Sequence, residues 1–285
     1  MARIDELLAA GRTFSFEFFP PKNDTEQAAL VSALHDLQPL APSFVSVTYR
    51  GGAASRRRTY DLVTGMLRTT VLNPMAHLIC VAHSRLELAE ILVEYRKAGV
   101  ENLMALGGDP PSEPDAGPGE LEHAEELVDL ARAIGGFSIG VAAHPGGHPR
   151  SPDLESDRRH LAHKLARADF AVTQFFFDAD EYLGLVDDLA GLGVDKPVIP
   201  GIMPITALAQ VPRMAQMGGP VPPWLVTRLE EVGDDPDAVR ARGIEATAEL
   251  CERLLAEGAP GLHFYTLNRS TATREIYASL GLATA

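Results

Sequence analysis

The sequence has 285 residues, of which 46% are hydrophobic and 22% are charged, and its formal net charge is −14. A charge this negative argues against nucleic acid or an anionic membrane as a partner, because both attract clustered lysine and arginine. The only basic run is Arg56-Arg57-Arg58, which is too short for that role. The 2 cysteines, Cys80 and Cys251, are too few for a disulfide framework or a thiolate metal site.

The N-terminal stretch MARIDELLAAGR carries acidic residues and no long apolar run, so it does not have the pattern of a secretory signal. No apolar stretch reaches the roughly 18 residues that suggest a membrane span. We therefore expect a cytoplasmic protein whose two cysteines are buried and reduced.

Short runs of apolar, β-branched or aromatic residues recur along the chain and predict eight strands. In chain order they span residues 14–20, 44–49, 76–82, 102–108, 138–144, 170–178, 197–204 and 261–268. Segments of helical period lie between them, among them residues 84–99, 123–135, 153–168 and 236–258. Several of these segments end in glycine, a common C-cap.

This alternation favours an α/β fold with one domain over residues 1–285, a (β/α)8 TIM barrel, because near-continuous apolar strands are typical of buried parallel sheets. A doubly wound open sheet is the alternative. No Gly-x-Gly-x-x-Gly follows the first strand, so a Rossmann dinucleotide site has no support. The Pro/Gly-rich loop 109–120 follows the fourth strand, on the face where barrel enzymes hold their active sites.

Polar residues at the ends of the predicted strands converge on that face of a barrel. A side-chain amide such as Gln174 can pair with a planar heterocycle, although an amide bonded to neighbouring backbone is the alternative. Asp109 is either a site residue or a cap of a turn. The whole set is Glu17, Thr48, Asp109, His144, Gln174, Asp178, Asn268 and Arg269.

The stretch TFSFEFFPP, residues 13–21, places one carboxylate, Glu17, among four phenylalanines. An ionised carboxylate is costly to bury without a partner. One interpretation is a side chain that faces a solvated cleft or a distant arginine. The other is a partly desolvated acid, whose raised pKa keeps it protonated and able to donate a proton.

Histidines cluster in sequence near Asp157, at spacings that could present metal ligands. His160 and His163 equally suit the solvated surface of an acidic helix, and we predict no metal site. His263 is expected to pack in or near the barrel wall. The clustered histidines are His144, His148, His160 and His163.

Eight short motifs, in order along nearly the whole chain, together resemble the 5,10-methylenetetrahydrofolate reductase family in its bacterial form without a regulatory extension. The resemblance implies a (β/α)8 barrel that reduces 5,10-methylenetetrahydrofolate to 5-methyltetrahydrofolate, which supplies methionine synthesis. The motifs are SFEFFPPK, SVTY, HLIC, LGGDPP, AHPGGHP, TQFFFD, IPGIMPI and HFYTLNR.

The resemblance also implies roles for individual residues on the folate side. Glu17 matches the family's general acid, which protonates the folate and opens its imidazolidine ring to an iminium that accepts hydride. Asp109 matches the aspartate near the pterin that tunes this acid, and Gln174 matches the amide that orients the pterin. Gln210 and Arg269 match folate contacts, Arg269 through the glutamate carboxylate.

The family normally carries FAD, and several positions on the flavin side depart from its pattern. The family's Leu-Arg-Gly-Asp reads Leu-Gly-Gly-Asp at residues 106–109, which removes a cation. His144 replaces a tyrosine, His160 and His163 replace an asparagine and an arginine, and Met214 replaces a phenylalanine that packs on ligand. The flavin-side positions are matched here by Thr48, His77, Gly108, Ala124, His144, Asp157, His160, His163 and Lys164.

A flavin pyrophosphate needs donors and positive charge, so these changes predict weak or absent FAD binding. The folate-side residues are all intact. We therefore expect NADH or NADPH to occupy the altered cleft and to pass hydride directly to the folate. The new histidines, with Arg50 or Arg56–Arg58, are candidates for holding the nucleotide.

Three alternatives stay open: a standard FAD-relay reductase, a reductase that uses a deazaflavin, and a folate-binding protein without catalysis. The intact Glu17 argues against the last, since binding alone does not need a tuned acid. The partner implied is a small-molecule folate. The sequence leaves open the choice between NADH and NADPH, the oligomeric state, and whether loop 109–120 closes over substrate.

Overall fold

The computed structural model describes residues 2–49, 53–109, 119–233 and 235–282, and for residues 53 and 54 only the helical backbone. Arg50 and most of the predicted loop 109–120 therefore lie outside the described residues. The strands are β1 (Thr13–Phe18), β2 (Phe44–Val47), β3 (Pro74–Ile79), β4 (Asn102–Leu106), β5 (Ser138–Ala143), β6 (Phe170–Thr173), β7 (Val198–Ile199), β8 (Gly201–Ile202) and β9 (Gly261–Tyr265).

All the strand pairs are parallel, and the strands follow the order β7-β6-β5-β4-β3-β2-β1-β9-β8. β7 pairs with β6 and β8 pairs with β9, and only Pro200 separates β7 from β8 in the chain. These two short strands thus together fill one strand position of the barrel, which we call a stave, and they close the sheet between β6 and β9. The predicted (β/α)8 TIM barrel is confirmed, and the open-sheet alternative is wrong.

The seventh predicted strand, residues 197–204, is broken where the sequence predicts it to be continuous. Pro200 has no N–H to donate to a neighbouring strand, which accounts for the break. Its carbonyl still accepts from the amide of His263 at 3.0 Å. The prediction of one unbroken strand was therefore wrong, although the stave itself is present.

Helices pack around the barrel, and their starts follow local sequence signals. Ser84 precedes one helix and exchanges hydrogen bonds with Glu87 in a capping box, while Asp153 caps another through the amide of Ser156. The helices are α1 (Ile4–Ala10), α2 (Asp24–Leu37), α3 (Ala53–Thr69), α4 (Arg85–Lys97), α5 (Ala124–Ile134), α6 (Leu154–Arg167), α7 (Ala179–Gly191), α8 (Val211–Gly218), α9 (Pro223–Glu230), α10 (Pro236–Ala256) and α11 (Thr271–Ser279).

The alternation of β1 explains the phenylalanine-rich stretch around Glu17. Successive side chains of a strand point to opposite faces. Phe16 and Phe18 are fully buried and join the large core between the barrel and its helices. Ser15 and Glu17 point the other way, into the barrel lumen, where Ser15 contacts His263.

The N-terminal end of the lumen is closed by apolar side chains, which we call the lumen floor. Helix α1 lies against this end, because Ile4 is fully buried there and its amide donates to Asn102 Oδ1 at 2.9 Å. Polar side chains begin above the floor, toward the C-terminal ends of the strands. The floor consists of Ile4, Phe44, Met75, Met104, Phe170, Val172 and Ile199.

Cys80 and Cys251 are buried free thiols, as the sequence predicts. Among the helices of the described ranges, none is long and apolar enough to cross a bilayer.

Candidate active site

Glu17 lies in the lumen above the floor and is surrounded by polar side chains from three other strands. Its Oε2 atom accepts a hydrogen bond from Ser46 Oγ at 3.3 Å. The same oxygen lies 3.5 Å from His77 Nε2 and 3.6 Å from His263 Nε2. Only 6% of Glu17 is exposed, so these contacts replace water around the carboxylate. We call Glu17, Ser46, His77 and His263 the lumen cluster.

His263 connects the lumen cluster to the wall of the barrel. Its Nδ1 atom lies 2.8 Å from Ser15 Oγ, and its ring stacks on Phe44 with centroids 6.0 Å apart. The ring of Tyr265 meets the His263 ring edge-on at 5.3 Å between centroids, and His263 is only 1% exposed. Packing fixes the ring so that Nε2 points at Glu17. The sequence placed His263 at the barrel wall but gave no sign of this pairing, which spans 246 positions of the chain.

The pKa of Glu17 lies below the ordinary carboxyl value, although burial alone would raise it. Hydrogen bonds from His263 and Ser46, together with the charges of nearby imidazoles, lower the pKa by more than burial raises it. The predicted raised pKa of Glu17 is therefore wrong. Burial lowers the pKa of His77 despite the adjacent carboxylate.

Two buried polar atoms near the lumen cluster make no hydrogen bond in the described part of the chain. They are Thr48 Oγ1 and His77 Nε2, in residues that are 7% and 8% exposed, and the His77 atom has the Glu17 carboxylate 3.5 Å away. Buried polar atoms are nearly always bonded, because leaving one unpaired costs about 1–3 kcal/mol. Both residues were predicted to contact a cofactor, and a polar ligand group in the barrel mouth would supply the partner that Thr48 lacks.

A second group of polar residues surrounds the ends of β4 and β5 and the start of α6. The rings of His144 and His148 meet edge-to-face with centroids 4.7 Å apart. Burial, followed by the charges of His148 and Lys164, lowers the pKa of His144 to about 4. His144 is therefore neutral near pH 7, and it can offer a ligand a hydrogen bond but no charge.

Lys164 supplies positive charge to this second group. Its Nζ atom donates to the carbonyl of Ala142 at 2.8 Å. Burial lowers its pKa to about 8, although the carboxylates of Asp157 and Glu125 oppose that shift. Asp157 is 7% exposed and accepts from Ser151 Oγ at 2.9 Å. Asp157 and Lys164, two of the four predicted cofactor residues on α6, thus face the same group of side chains.

The other predicted cofactor residues on the helices are more exposed. His160 is exposed, and His163 is 58% exposed with its Nδ1 atom 2.9 Å from Glu125 Oε2. Ala124 is half-buried at the start of α5. With His163 held by a carboxylate and His144 neutral, neither histidine replaces the cation that the resemblance places on the flavin side.

Arg150 brings a cation to the end of β4. The sequence did not indicate this, because Arg150 lies in a different loop from the position that lost its arginine. One of its terminal nitrogens donates to the carbonyl of Gly108 at 3.3 Å. The residue lies in the β5–α6 loop, 42 positions from its partner. Gly108 itself has a φ of +90°, and an added Cβ would lie 2.5 Å from Val81 Cγ1, so only glycine fits there. The charge lost at Gly107 is thus partly replaced from another loop.

The predicted folate-side residues lie on the same face of the barrel, because they follow the C-terminal ends of its parallel strands. Gln174 follows β6, and its Oε1 accepts from the neighbouring Phe175 amide at 3.1 Å. Gln210 follows β8 and accepts from the Thr206 amide at 2.8 Å. Asp109 and Arg269 are exposed beyond β4 and β9. Neither amide is tied to the lumen cluster.

Within the described ranges, no group of three or more histidine, cysteine, aspartate and glutamate side chains is arranged to hold a metal ion. The clustered histidines of the β5–α6 segment instead contact one another, Glu125 or solvent.

A family model described as methylenetetrahydrofolate reductase matches residues 3–281. The chain belongs to the methylenetetrahydrofolate reductase family. It is therefore an oxidoreductase of folate one-carbon metabolism. The lumen cluster lies above the floor, and the polar group beside it lies at the C-terminal ends of β4 and β5.

Named relatives agree with this assignment over most of this chain. The 5,10-methylenetetrahydrofolate reductase of Pectobacterium carotovorum is 36% identical over 270 residues, which cover 94% of this chain and 90% of that protein. The Escherichia coli enzyme is 35% identical with the same coverage. Methylenetetrahydrofolate reductase 1 of Schizosaccharomyces pombe is 35% identical, but the match covers 46% of that longer protein.

Solved structures share the barrel at much lower sequence identity. One is an uncharacterized protein from Clostridium thermocellum that binds two copies of 5-methyl-5,6,7,8-tetrahydrofolic acid. Its TM-score is 0.65 at 15% identity, and the match covers 98% of this chain and 97% of that one. Oxaloacetate acetylhydrolase matches with a TM-score of 0.54 at 12% identity, covering 98% and 82%. At these identities the matches show the fold alone.

Proposed function

We propose that this reductase transfers hydride directly from NADH or NADPH to 5,10-methylenetetrahydrofolate, with Glu17 delivering the proton. The observation that carries the proposal is the lumen cluster, in which one buried carboxylate contacts two imidazoles and a hydroxyl. Such a cluster brings a carboxylate and two imidazoles close enough to pass a proton between them where bulk water does not reach. Family membership supplies the substrate, and the departures from the family's flavin-contacting residues support the direct route.

The proposed reaction balances with one proton and one hydride. Glu17 gives its proton to a ring nitrogen of the folate, and the bond from that nitrogen to the methylene carbon breaks. The iminium that forms accepts hydride from the dihydronicotinamide at the methylene carbon. The products are 5-methyltetrahydrofolate and the oxidised nicotinamide, and the ionised Glu17 then regains a proton.

The lowered pKa of Glu17 requires a proton source close by. His263 and His77 both approach the Glu17 oxygen that Ser46 contacts. We propose that the cluster shares one proton and that the carboxyl passes it from an imidazole to the folate. Proton transfer by a positioned group typically contributes about 10²–10⁴-fold to the rate.

The reductant is proposed to bind beside the cluster, toward β4, β5 and α6. The unpartnered Thr48 Oγ1 would bond its polar groups, with His77 between it and Glu17, and Lys164 and Arg150 would face its phosphates. The remaining residues proposed for this side are Gly108, Ala124, His144, Asp157, His160 and His163. NADH and NADPH are not distinguished by any of them.

The folate is proposed to bind from the opposite side of the mouth. Gln174 would pair with the pterin, Asp109 would lie near it, and Gln210 and Arg269 would contact the benzoyl-glutamate part. The side chains of Gln174 and Gln210 could rotate away from their present backbone contacts and bond a ligand in the mouth instead. A bidentate contact from Arg269 suits the glutamate carboxylate.

The deciding experiment uses the purified, desalted full chain. Its visible spectrum is recorded, and NADH absorbance is followed with 5,10-methylenetetrahydrofolate, with and without added FAD. We expect a colourless protein that oxidises NADH only when the folate is present, at a rate that FAD does not change.

Other outcomes separate the rival functions. Activity only with FAD would overturn direct transfer and restore the flavin relay. Folate binding without turnover by NADH, NADPH or FAD would leave a deazaflavin-dependent reductase or a binding protein, which a reduced deazaflavin assay then separates. Absence of folate binding would overturn the assignment of the site.

A further inference from the structure

Arg158 is a buried arginine next to the proposed reductant side, and none of the sequence signals singled it out. It lies in the first turns of α6 and is only 5% exposed. Burying a guanidinium costs several kcal/mol unless its donors are bonded, so its partners reveal what it does. They belong to three different parts of the chain.

The guanidinium joins α6 to the β5–α6 loop and to α7. Its NH1 and NH2 nitrogens donate to the carbonyls of His144 at 3.0 Å and Pro145 at 2.6 Å. Its Nε donates to Asp188 Oδ2 on α7 at 3.1 Å. NH1 also lies 3.5 Å from Asp157 Oδ2. Four contacts in three directions leave this side chain little freedom.

The residues that Arg158 holds are those of the proposed reductant side. His144 and Pro145 are the first residues after β5, and the same loop carries Arg150, which reaches Gly108. Asp157 is held from two sides, since its other oxygen accepts from Ser151. A planar fork has several donors in fixed directions, which suits two successive carbonyls and a carboxylate at once, whereas lysine presents its donors from a single nitrogen.

We propose that Arg158 is a positioning residue for the reductant: it fixes the β5–α6 loop, so that His144, Arg150 and Asp157 are in place before the reductant binds. This inference rests on the proposed function for the identity of the ligand. It does not require Arg158 to touch the ligand. Displacing a binding group by about 1 Å can cost roughly 10²-fold in activity.

The test compares Arg158→Met with Arg158→Lys, Asp188→Asn and the matched control Arg159→Met. Arg159 is the next residue of the same helix, and its side chain is 60% exposed. We expect Arg158→Met to raise the KM for NADH by roughly 10- to 100-fold while the KM for the folate stays within twofold. Asp188→Asn, which keeps both carbonyl contacts, and the control should leave both constants near wild type.

Hydrogen exchange tests the clamp without using activity. Peptides that cover residues 144–151 should exchange faster in Arg158→Met than in wild type, while peptides from β1 and β9 should not change. If Arg158→Met does not fold, Arg158→Lys carries the same measurements, because it keeps the charge but cannot reach all the partners. Unchanged exchange in residues 144–151 would overturn the clamp.

The kinetic split then decides whether the clamp serves the reductant. Faster exchange with equal changes in both KM values would make Arg158 a structural residue and overturn the positioning role. If wild type uses FAD and not NADH, the proposed function fails, and the same split is measured with FAD. If wild type binds neither NADH nor FAD in a calorimetric titration, the positioning inference is overturned as well.

Discussion

Glu17 is the side chain on which the proposed chemistry depends most directly. Replacing it by glutamine in Glu17→Gln keeps the size and the hydrogen bond to Ser46 but removes the transferable proton. We expect folate-dependent NADH oxidation to fall by about 10²–10⁴-fold, because general acid catalysis is lost. Folate affinity, measured by calorimetric titration, should change by less than about tenfold, which is 1.4 kcal/mol.

The matched control for this substitution is Glu90→Gln, on the exposed surface of α4. It makes the same chemical change away from the mouth and should leave the rate near wild type. Full activity in Glu17→Gln would show that the proton comes from elsewhere. Loss of folate binding in the same variant would make Glu17 a binding group rather than the acid.

Lys164 gives the site a pH dependence that the sequence did not suggest. Because burial lowers its pKa to about 8, the side chain is charged below this pH and neutral above it. We expect the KM for NADH to increase as the pH rises through about 8, since a cation facing the phosphates is lost. Lys164→Arg keeps its charge there, so its KM should stay flat, and Lys97→Arg on the surface should follow wild type.

The stability of the fold should respond to Lys164 in the opposite sense. Its folded pKa, about 8, is below the ordinary value of 10.5, so the unfolded chain binds the proton more tightly. Folding is therefore penalised by this group below pH 8, and the penalty disappears as the pH rises toward 10.5. Weaker binding of NADH above pH 8 together with lower stability would indicate partial unfolding instead.

The sequence identified Glu17 as a candidate site residue because it is a carboxylate in an apolar strand. It did not predict that the pKa of Glu17 would be lowered. The groups that lower this pKa lie on β2, β3 and β9, and only the pairing of strands brings them to one oxygen. The sequence of one strand indicates burial, which raises a carboxyl pKa. It does not indicate the partners on other strands, which lower that pKa. His263 was missed as a site residue for the same reason.

Gly140 is a position in the barrel where a larger side chain would not fit. Gly140 in β5 lies opposite Phe170 of β6, and a Cβ added there would be 2.6 Å from the Phe170 ring. We expect Gly140→Ala to lower the free energy of unfolding by about 1–3 kcal/mol, because the lumen floor becomes overpacked. Urea denaturation followed by far-UV circular dichroism measures the change.

Gly184→Ala is the comparison for this variant. Gly184 is exposed within α7, and nothing lies within 4 Å of an added Cβ. Removing glycine from a helix interior should stabilise the protein by about 0.5–1 kcal/mol. Equal effects of both substitutions would contradict the packing argument.

Elements with strong local signals were predictable, and those fixed by tertiary contacts were not. Residues 84–99 were recognised as a helix from their period, and α4 occupies most of that range. The broken stave around Pro200 was read as one strand because its apolar residues run without interruption. The clamp by Arg158 gave no local signal, since its contacts to the β5–α6 loop and to α7 lie 13, 14 and 30 positions away.

The single domain over residues 1–285 stays a prediction that cooperative unfolding can test. Ile4 is fully buried in the lumen floor, whereas Trp224, the only tryptophan of the chain, lies in α9. We expect Ile4→Ala to cost about 2–5 kcal/mol, the usual range for truncating a buried aliphatic side chain. In one cooperative domain, the midpoints by tryptophan fluorescence and by far-UV circular dichroism should decrease together.

The control for this pair of signals is Val71→Ala, a surface position that is 87% exposed. It should shift neither midpoint. A fluorescence midpoint that stays in place while the circular dichroism midpoint falls would mean that α9 unfolds separately and that the chain has more than one cooperative unit.

On the proposed mechanism, the lumen floor limits the routes by which protons reach Glu17. In the described residues, Ile4 and the apolar side chains around it close the end of the lumen opposite the mouth. On the proposed mechanism each turnover consumes a proton, and the open end is the same entrance that the folate uses. On this mechanism a bound folate blocks resupply, so the cluster takes up the proton of each turnover before the folate binds. The order of the two events, proton first and folate second, would then follow from the closed floor.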